Sequence, residues 1–167
     1  MKTHKILFAC LALFLVVSVP YACAGEFKQT HVSRGNDDGS ETFEWDEISI
    51  GKMDGERLYF DVEMALTVPQ QMQGMMYRKE MPNYTGMLVV FDDAAMRSFW
   101  MKTTLIPLDM LFIDKNGVIV GIEKRTVPKS ETIIPTPRPV RFVLELNGGA
   151  ADHFGLEVGE KVEGLPR

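Results

Sequence analysis

The chain is poor in the groups that most often carry out chemistry. It has two cysteines and three histidines in 167 residues. Both cysteines, Cys10 and Cys23, lie in the first 24 positions, so a chain shortened there can form no disulfide, thiolate metal site or cysteine nucleophile. Of its two remaining histidines, His31 falls in a polar stretch, and His153 follows Asp152 near the expected end of a surface helix. Both read as solvated side chains. No G-x-S-x-G elbow, H-E-x-x-H pair or phosphate loop occurs. No segment is densely basic, and no apolar run reaches the ~20 residues of a spanning helix.

Charge narrows the partners further. Acidic residues outnumber basic ones 23 to 18, and removal of Lys2 and Lys5 leaves 16 basic residues. A net negative charge disfavours nucleic acid and anionic membrane surfaces. The expected partner is a small ligand or another protein, with no nucleic acid and no stable membrane span in the mature chain. No cofactor is indicated.

The N-terminus reads as an export signal. Lys2 and Lys5 precede the apolar run Ile6 to Val19, Pro20 breaks it, and Ala22-Cys23-Ala24 fits a small-residue cleavage site before Gly25. This predicts a signal peptide over residues 1–24 and a periplasmic or secreted product. The alternative is a lipoprotein anchored through Cys23, which Pro20 and Tyr21 disfavour, because that signal places an aliphatic residue three before the cysteine. Residues 25–44 are polar around Gly35 to Ser40 and predict a mobile leader. Residues 45–167 then form one domain, long enough for a core of its own.

Its pattern is one of short strands. Ile48 and Ile50 alternate with polar residues, and Asp54-Gly55 marks a hairpin turn. Leu58, Phe60, Val62, Met64 and Leu66 then share one face of a strand. Thr67 and Gln70 make a capping box, with Pro69 in the first turn of a short helix. Met87 to Phe91 predicts a strand covered on both sides, followed by a turn at Asp92-Asp93 and a return from Arg97 to Lys102. A strand from Leu108 to Ile113 starts after Pro107, and Lys115-Asn116-Gly117 turns into Val118 to Glu123. Four prolines between Pro128 and Pro139 mark a long connection. Val140, Phe142, Leu144 and Leu146 alternate with Arg141, Val143, Glu145 and Asn147 on an open face. A short helix near Ala150 and a strand near Lys161 close the domain. The fold class is mainly β: a small sandwich or half-open barrel, jelly-roll-like, with one or two short helices.

The candidate site residues come from charge in apolar surroundings. Lys102 and Asp109 stand in SFWMKTTLIPLDM (Ser98 to Met110), where an unpaired buried charge is costly. Counting by twos places Lys102 beside Trp100 and Asp109 beside Leu111. They predict a linked pair, direct or through Arg78; the alternative for Asp109 is to bind backbone N–H groups in a turn. Asp109 with Glu145 would make a carboxylate pair of the type hydrolases of glycosides use. Nine of the eleven methionines lie between Met64 and Met110, and Met72, Met75 and Met76 bunch on the helix, so a thioether copper site is a further alternative. Packing by flexible thioethers explains the same bunching without a metal.

Several blocks, QGMMYR (Gln73 to Arg78), GMLVVF (Gly86 to Phe91), SFWMKTTLIPLDMLFID (Ser98 to Asp114) and VRFVLELNGGAADHFGLEVGEKV (Val140 to Val162), resemble the domain of unknown function 192 family from about Leu58 to Val162. The resemblance implies a small, often exported β-rich domain, similar to a jelly roll, and brings no established enzyme activity. It places Arg78, Gly86, Met87, Trp100, Met101, Lys102, Thr104, Pro107, Asp109 and Glu145 on characteristic positions. Met75 stands where the family usually has Leu, and Thr103 where it usually has Asn. Met75 is thus no required ligand, and one hydroxyl can replace only part of an amide. The expectation is an exported, non-enzymatic domain. It binds a ligand in a groove of Met76, Met87, Trp100 and Met101, with Arg78, Lys102, Thr104 and Asp109 as its polar contacts.

Overall fold

The computed structural model describes residues 40–167. The expected signal peptide and the polar leader as far as residue 39 lie outside the described residues. Within them the chain runs β1 (Glu44–Gly51), β2 (Arg57–Ala65), α1 (Val68–Gln73), β3 (Thr85–Ala95), β4 (Ser98–Phe99), β5 (Leu108–Ile113), β6 (Ile119–Glu123), β7 (Ile134–Pro135), β8 (Val140–Asn147), α2 (Ala150–Phe154) and β9 (Lys161–Glu163). Seven strands join in one sheet, ordered β6-β5-β8-β3-β2-β1-β9, while β4 and β7 pair as a short ribbon. β2 and β3 are parallel, so α1 lies in their crossover. The sheet curls until its two edges approach: Val118, just before β6, bridges to Lys161 of β9. The fold is therefore a mainly β half-barrel.

Local chemistry accounts for the turns. Asp54 accepts the Glu56 N–H at 2.9 Å in the β1–β2 hairpin. Thr67 caps α1 in a complete capping box with Gln70, and Pro69 stands at the helix start. Asp114 Oδ1 accepts the N–H groups of Asn116 at 2.8 Å and Val118 at 2.9 Å, which closes the β5–β6 turn. Gly86 is required by packing: a Cβ there would meet the Glu145 carbonyl oxygen at 2.6 Å, so β3 and β8 could not approach.

The curl gives the sheet two unlike faces. The inner face carries Ile48, Phe60, Val62, Leu88, Leu111, Ile113 and Leu144, from Ile119 on β6 round to Val162 on β9. The other face carries Met87, Val89, Met110, Phe112 and Val143, and Met75 and Met101 pack over it. Burial of these two sets removes apolar surface from water, the main force that holds the domain.

Two expectations change here. Asp92-Asp93 is no turn: β3 runs on to Ala95 with a register shift after Val90, and Arg97 reaches back to Asp93 at 2.5 Å. The second face of β8 is not open either, because Val143 and Glu145 are both buried. The residues that cover it come from distant parts of the chain.

The pairing of Lys102 with Asp109 is also corrected. Asp109 is fully buried on the side of β5 that faces the inner core. Its Oδ1 accepts N–H groups from Arg125 at 2.7 Å and Gly149 at 2.9 Å, and its Oδ2 accepts that of Ala151 at 2.8 Å. Gly149 precedes α2 and offers the helix no side-chain cap, so Asp109 supplies one from β5. It also holds Arg125, whose φ is 51°. Lys102 lies outside, its side chain 48% exposed, 3.4 Å from Glu131 and over the Trp100 ring at 5.3 Å. Parity along a strand cannot relate the two, because residues 100–107 form no strand.

Asp109→Ala leaves three backbone donors without their acceptor, that of Ala151 buried and those of Arg125 and Gly149 part-buried. Its expected cost is about 3–5 kcal/mol. Lys102→Met is expected to cost about 0–1 kcal/mol. Urea denaturation of both single variants and the double variant measures this directly. A coupling below about 0.5 kcal/mol is the expected result, and a larger one contradicts the separation of the two residues.

Candidate functional site

The candidate site is a cleft of about 360 Å³ between α1 and the β4 region, on the face of the sheet opposite Asp109. A volume of this size suits a small ligand. Its walls are largely apolar: Val68, Met72, Met75 and Met76 on the α1 side, Val89 and Phe91 from β3, Phe99 and Trp100 on the far side. Polar groups are few, chiefly Gln71, Arg97, Ser98, Thr104 and Glu145.

Glu145 dominates the chemistry. It is only 6% exposed, and its Oε2 has no hydrogen-bond partner. A buried acceptor without a donor is costly and calls for an explanation. Its place follows from the register. Glu63 on β2 pairs with Met87 on β3, Met87 with Glu145 on β8, and Glu145 with Met110 on β5. Carboxyl and thioether side chains thus alternate along one row across the sheet. Arg78, just beyond α1, binds Glu63 at 2.5 Å and so is committed to the neighbouring acid.

Burial pushes the Glu145 carboxyl up to about 7, against the opposing pull of Arg78. The helix leaves room above it at Gly74. That residue has φ 47°, which disfavours a side chain, and a Cβ built there would lie 3.9 Å from Glu145 Oε2.

The expected site residues divide. Trp100, Thr104, Met72, Met75 and Met76 line the cleft. Met87 and Met101 are buried in the core beneath it, where Met101 Sδ accepts the Thr126 hydroxyl at 3.3 Å. Arg78 stands behind the wall, Lys102 outside, and Asp109 across the sheet. Asp109 and Glu145 occupy opposite faces, since Asp109 pairs with Leu146 and Glu145 with Met110. They cannot flank one substrate, which removes the carboxylate-pair hydrolase. The three methionines expected together on the helix differ in place and depth. α1 ends at Gln73, so Met75 and Met76 lie beyond it, and exposure runs from 71% at Met72 to 2% at Met75. Among the described residues no group of three His, Cys, Asp or Glu gathers. The sequence reading missed Arg97 and Phe99, and no periodicity marks them, since they belong to a loop and a two-residue strand.

The raised pKa links Glu145 to stability. The folded protein keeps a proton near pH 7 that an ordinary Glu loses near 4.5. The stabilising contribution is therefore complete below pH 4.5 and is lost as pH rises through 7. Glu145→Gln removes this dependence. At pH 8 the variant is expected to exceed the wild type by about 3 kcal/mol, while at pH 4 the two are close. Equal urea stabilities at both pH values contradict the burial of an ionisable Glu145.

Comparison with other proteins agrees with this architecture. No curated protein gives a significant match. Among solved structures, a Sinorhizobium meliloti 1021 protein provisionally named a transcription regulator is 38% identical, with a TM-score of 0.73 over 75% of this chain and 97% of that one. A Novosphingobium aromaticivorans DSM 12444 protein of unknown function is 32% identical, with a TM-score of 0.72 over 81% and 94%. The family model described as "Uncharacterized ACR" matches residues 50–164. With most of its length matched, the chain belongs to the domain of unknown function 192 family.

Proposed function

We propose that this protein is an exported, non-enzymatic domain that binds a small ligand in the cleft over Glu145. The observation that carries this reading is the unpartnered Oε2 of Glu145 beneath an apolar cleft of ligand size. One polar anchor within an apolar wall is the usual composition of a binding pocket. No nucleophile, base and oxyanion donor stand together there. Export rests on the N-terminal pattern, and Gly25 as first residue of the protein recovered from its host is its check.

The name of the Sinorhizobium relative offers a rival, transcription regulation, which on this chain would call for a surface that binds nucleic acid. Two features of this chain weigh against it: acidic residues outnumber basic ones, and the two helices among the described residues have six and five residues, too short to read a major groove. Among the described residues no helix is long and apolar enough to cross a membrane.

Titration with 1-hexanol, followed by amide NMR, tests the reading. Shifts are expected at Gln71 to Met76 and Arg97 to Trp100, and Trp100→Ala is expected to weaken binding several-fold, since its half-exposed ring forms one wall. Shifts confined to the smaller hollow of Phe60, Tyr84 and Phe154, or no saturable shifts, contradict it.

A further inference from the structure

The ligand's chemistry follows from the row of side chains beneath the cleft. Two acids, Glu63 and Glu145, face one base, Arg78, and the ion pair between Arg78 and Glu63 is already closed. Glu145 is left with an oxygen that nothing binds. The row therefore lacks one positive charge. None of the cations nearby supplies it. Arg97 gives its Nη2 to the Asp93 carboxyl and carbonyl and stacks on Phe91, 4.2 Å from the ring centre. Its buried Nε has no partner, so the cleft holds one open donor beside the open acceptor, and no ion pair closes between the two. Lys102 is turned outward toward Glu131.

The walls suit a cation with an apolar stem. Thioethers and aromatic rings tolerate a positive charge better than aliphatic walls do, and the Trp100 ring already carries the Lys102 ammonium on one side. The Thr104 hydroxyl lines the same cleft and offers a second acceptor.

We infer that the cleft takes a small aliphatic amine, whose ammonium group pairs with Glu145 Oε2 and whose hydrocarbon body lies against Met72, Met76, Phe99 and Trp100. This rests on the reading of the cleft as a ligand site. An ammonium taken from water into such a place is stable only with a counter-charge, and Glu145 provides it once ionised. Binding therefore strengthens as the pH rises. The charged groups near Glu145 are Arg78 beyond α1, Glu63 on β2 and Arg97 before β4; α1 itself carries none, and the cross-strand neighbours are Met87 and Met110.

The test compares n-hexylammonium, 1-hexanol and hexanoate by calorimetry at pH 8 and pH 5.5, with amide NMR to locate each. At pH 8 the ammonium is expected to bind roughly tenfold more tightly than the alcohol, and to lose about tenfold at pH 5.5. Glu145→Gln, which should fold at least as well as the wild type, is expected to abolish both differences. If ammonium and alcohol bind the cleft equally, the charge assignment fails while the cleft remains a ligand site. Preference for hexanoate overturns the inference in favour of Arg97 as the anchor. If none of the three binds, the binding reading falls together with it.

Discussion

A carboxyl group buried on an interior strand with one oxygen unbonded is the constraint on which the rest of the account depends. Most buried acids are paired or hydrogen-bonded, because water is lost on burial and must be replaced. Asp109 obeys that rule with three backbone donors. Glu145, one strand away, does not. The sheet points the two acids to opposite faces, Asp109 into bonds within the fold and Glu145 toward the cleft.

The rest of the architecture serves that separation. Curling the sheet seals the inner face around an apolar core, and the buried Asp109 fastens α2 to β5 at its end. The outer face is completed by α1 and by the segments around β4 and β7, which leave a cleft rather than a closed seam. Gly86 lets β3 lie tightly against β8, and Gly74 keeps a side chain away from Glu145. Arg78 satisfies Glu63 and lowers, without removing, the cost of ionising Glu145. Glu145 Oε2 is one of three buried side-chain polar atoms without a partner among the described residues, with Arg97 Nε and Thr103 Oγ1. Such groups are tolerated only because the surrounding core is large.

Much of the fold was legible in the sequence where the determinants are local. The β1–β2 hairpin, the capping box at Thr67 and the strand after Pro107 are set by neighbours within a few residues, and the structure has all three. The acid in LDMLFI was also correctly read as buried. Backbone N–H groups were the alternative partners read for it, as a local turn. The structure takes them from the distant Arg125, Gly149 and Ala151, which carry no mark in a sequence, whereas Lys102 stood out as a nearby charge. Glu145 was read as solvent-facing because alternation identifies one covered face and is blind to a second one covered from afar. Arg97 carried no periodic mark because it lies in the loop between β3 and β4, and the acid pair at Asp92-Asp93 imitated a turn within a strand that runs past the covered region.

The account's central claim is that Glu145 is an ionisable acid, buried and unpaired. Titration of its side-chain carboxyl carbon by NMR, assigned through Glu145→Gln, tests this most directly. A midpoint near pH 7 is the predicted result. A midpoint near 4.5, the ordinary value for Glu, would mean that water or a partner reaches the carboxyl, and would contradict the account.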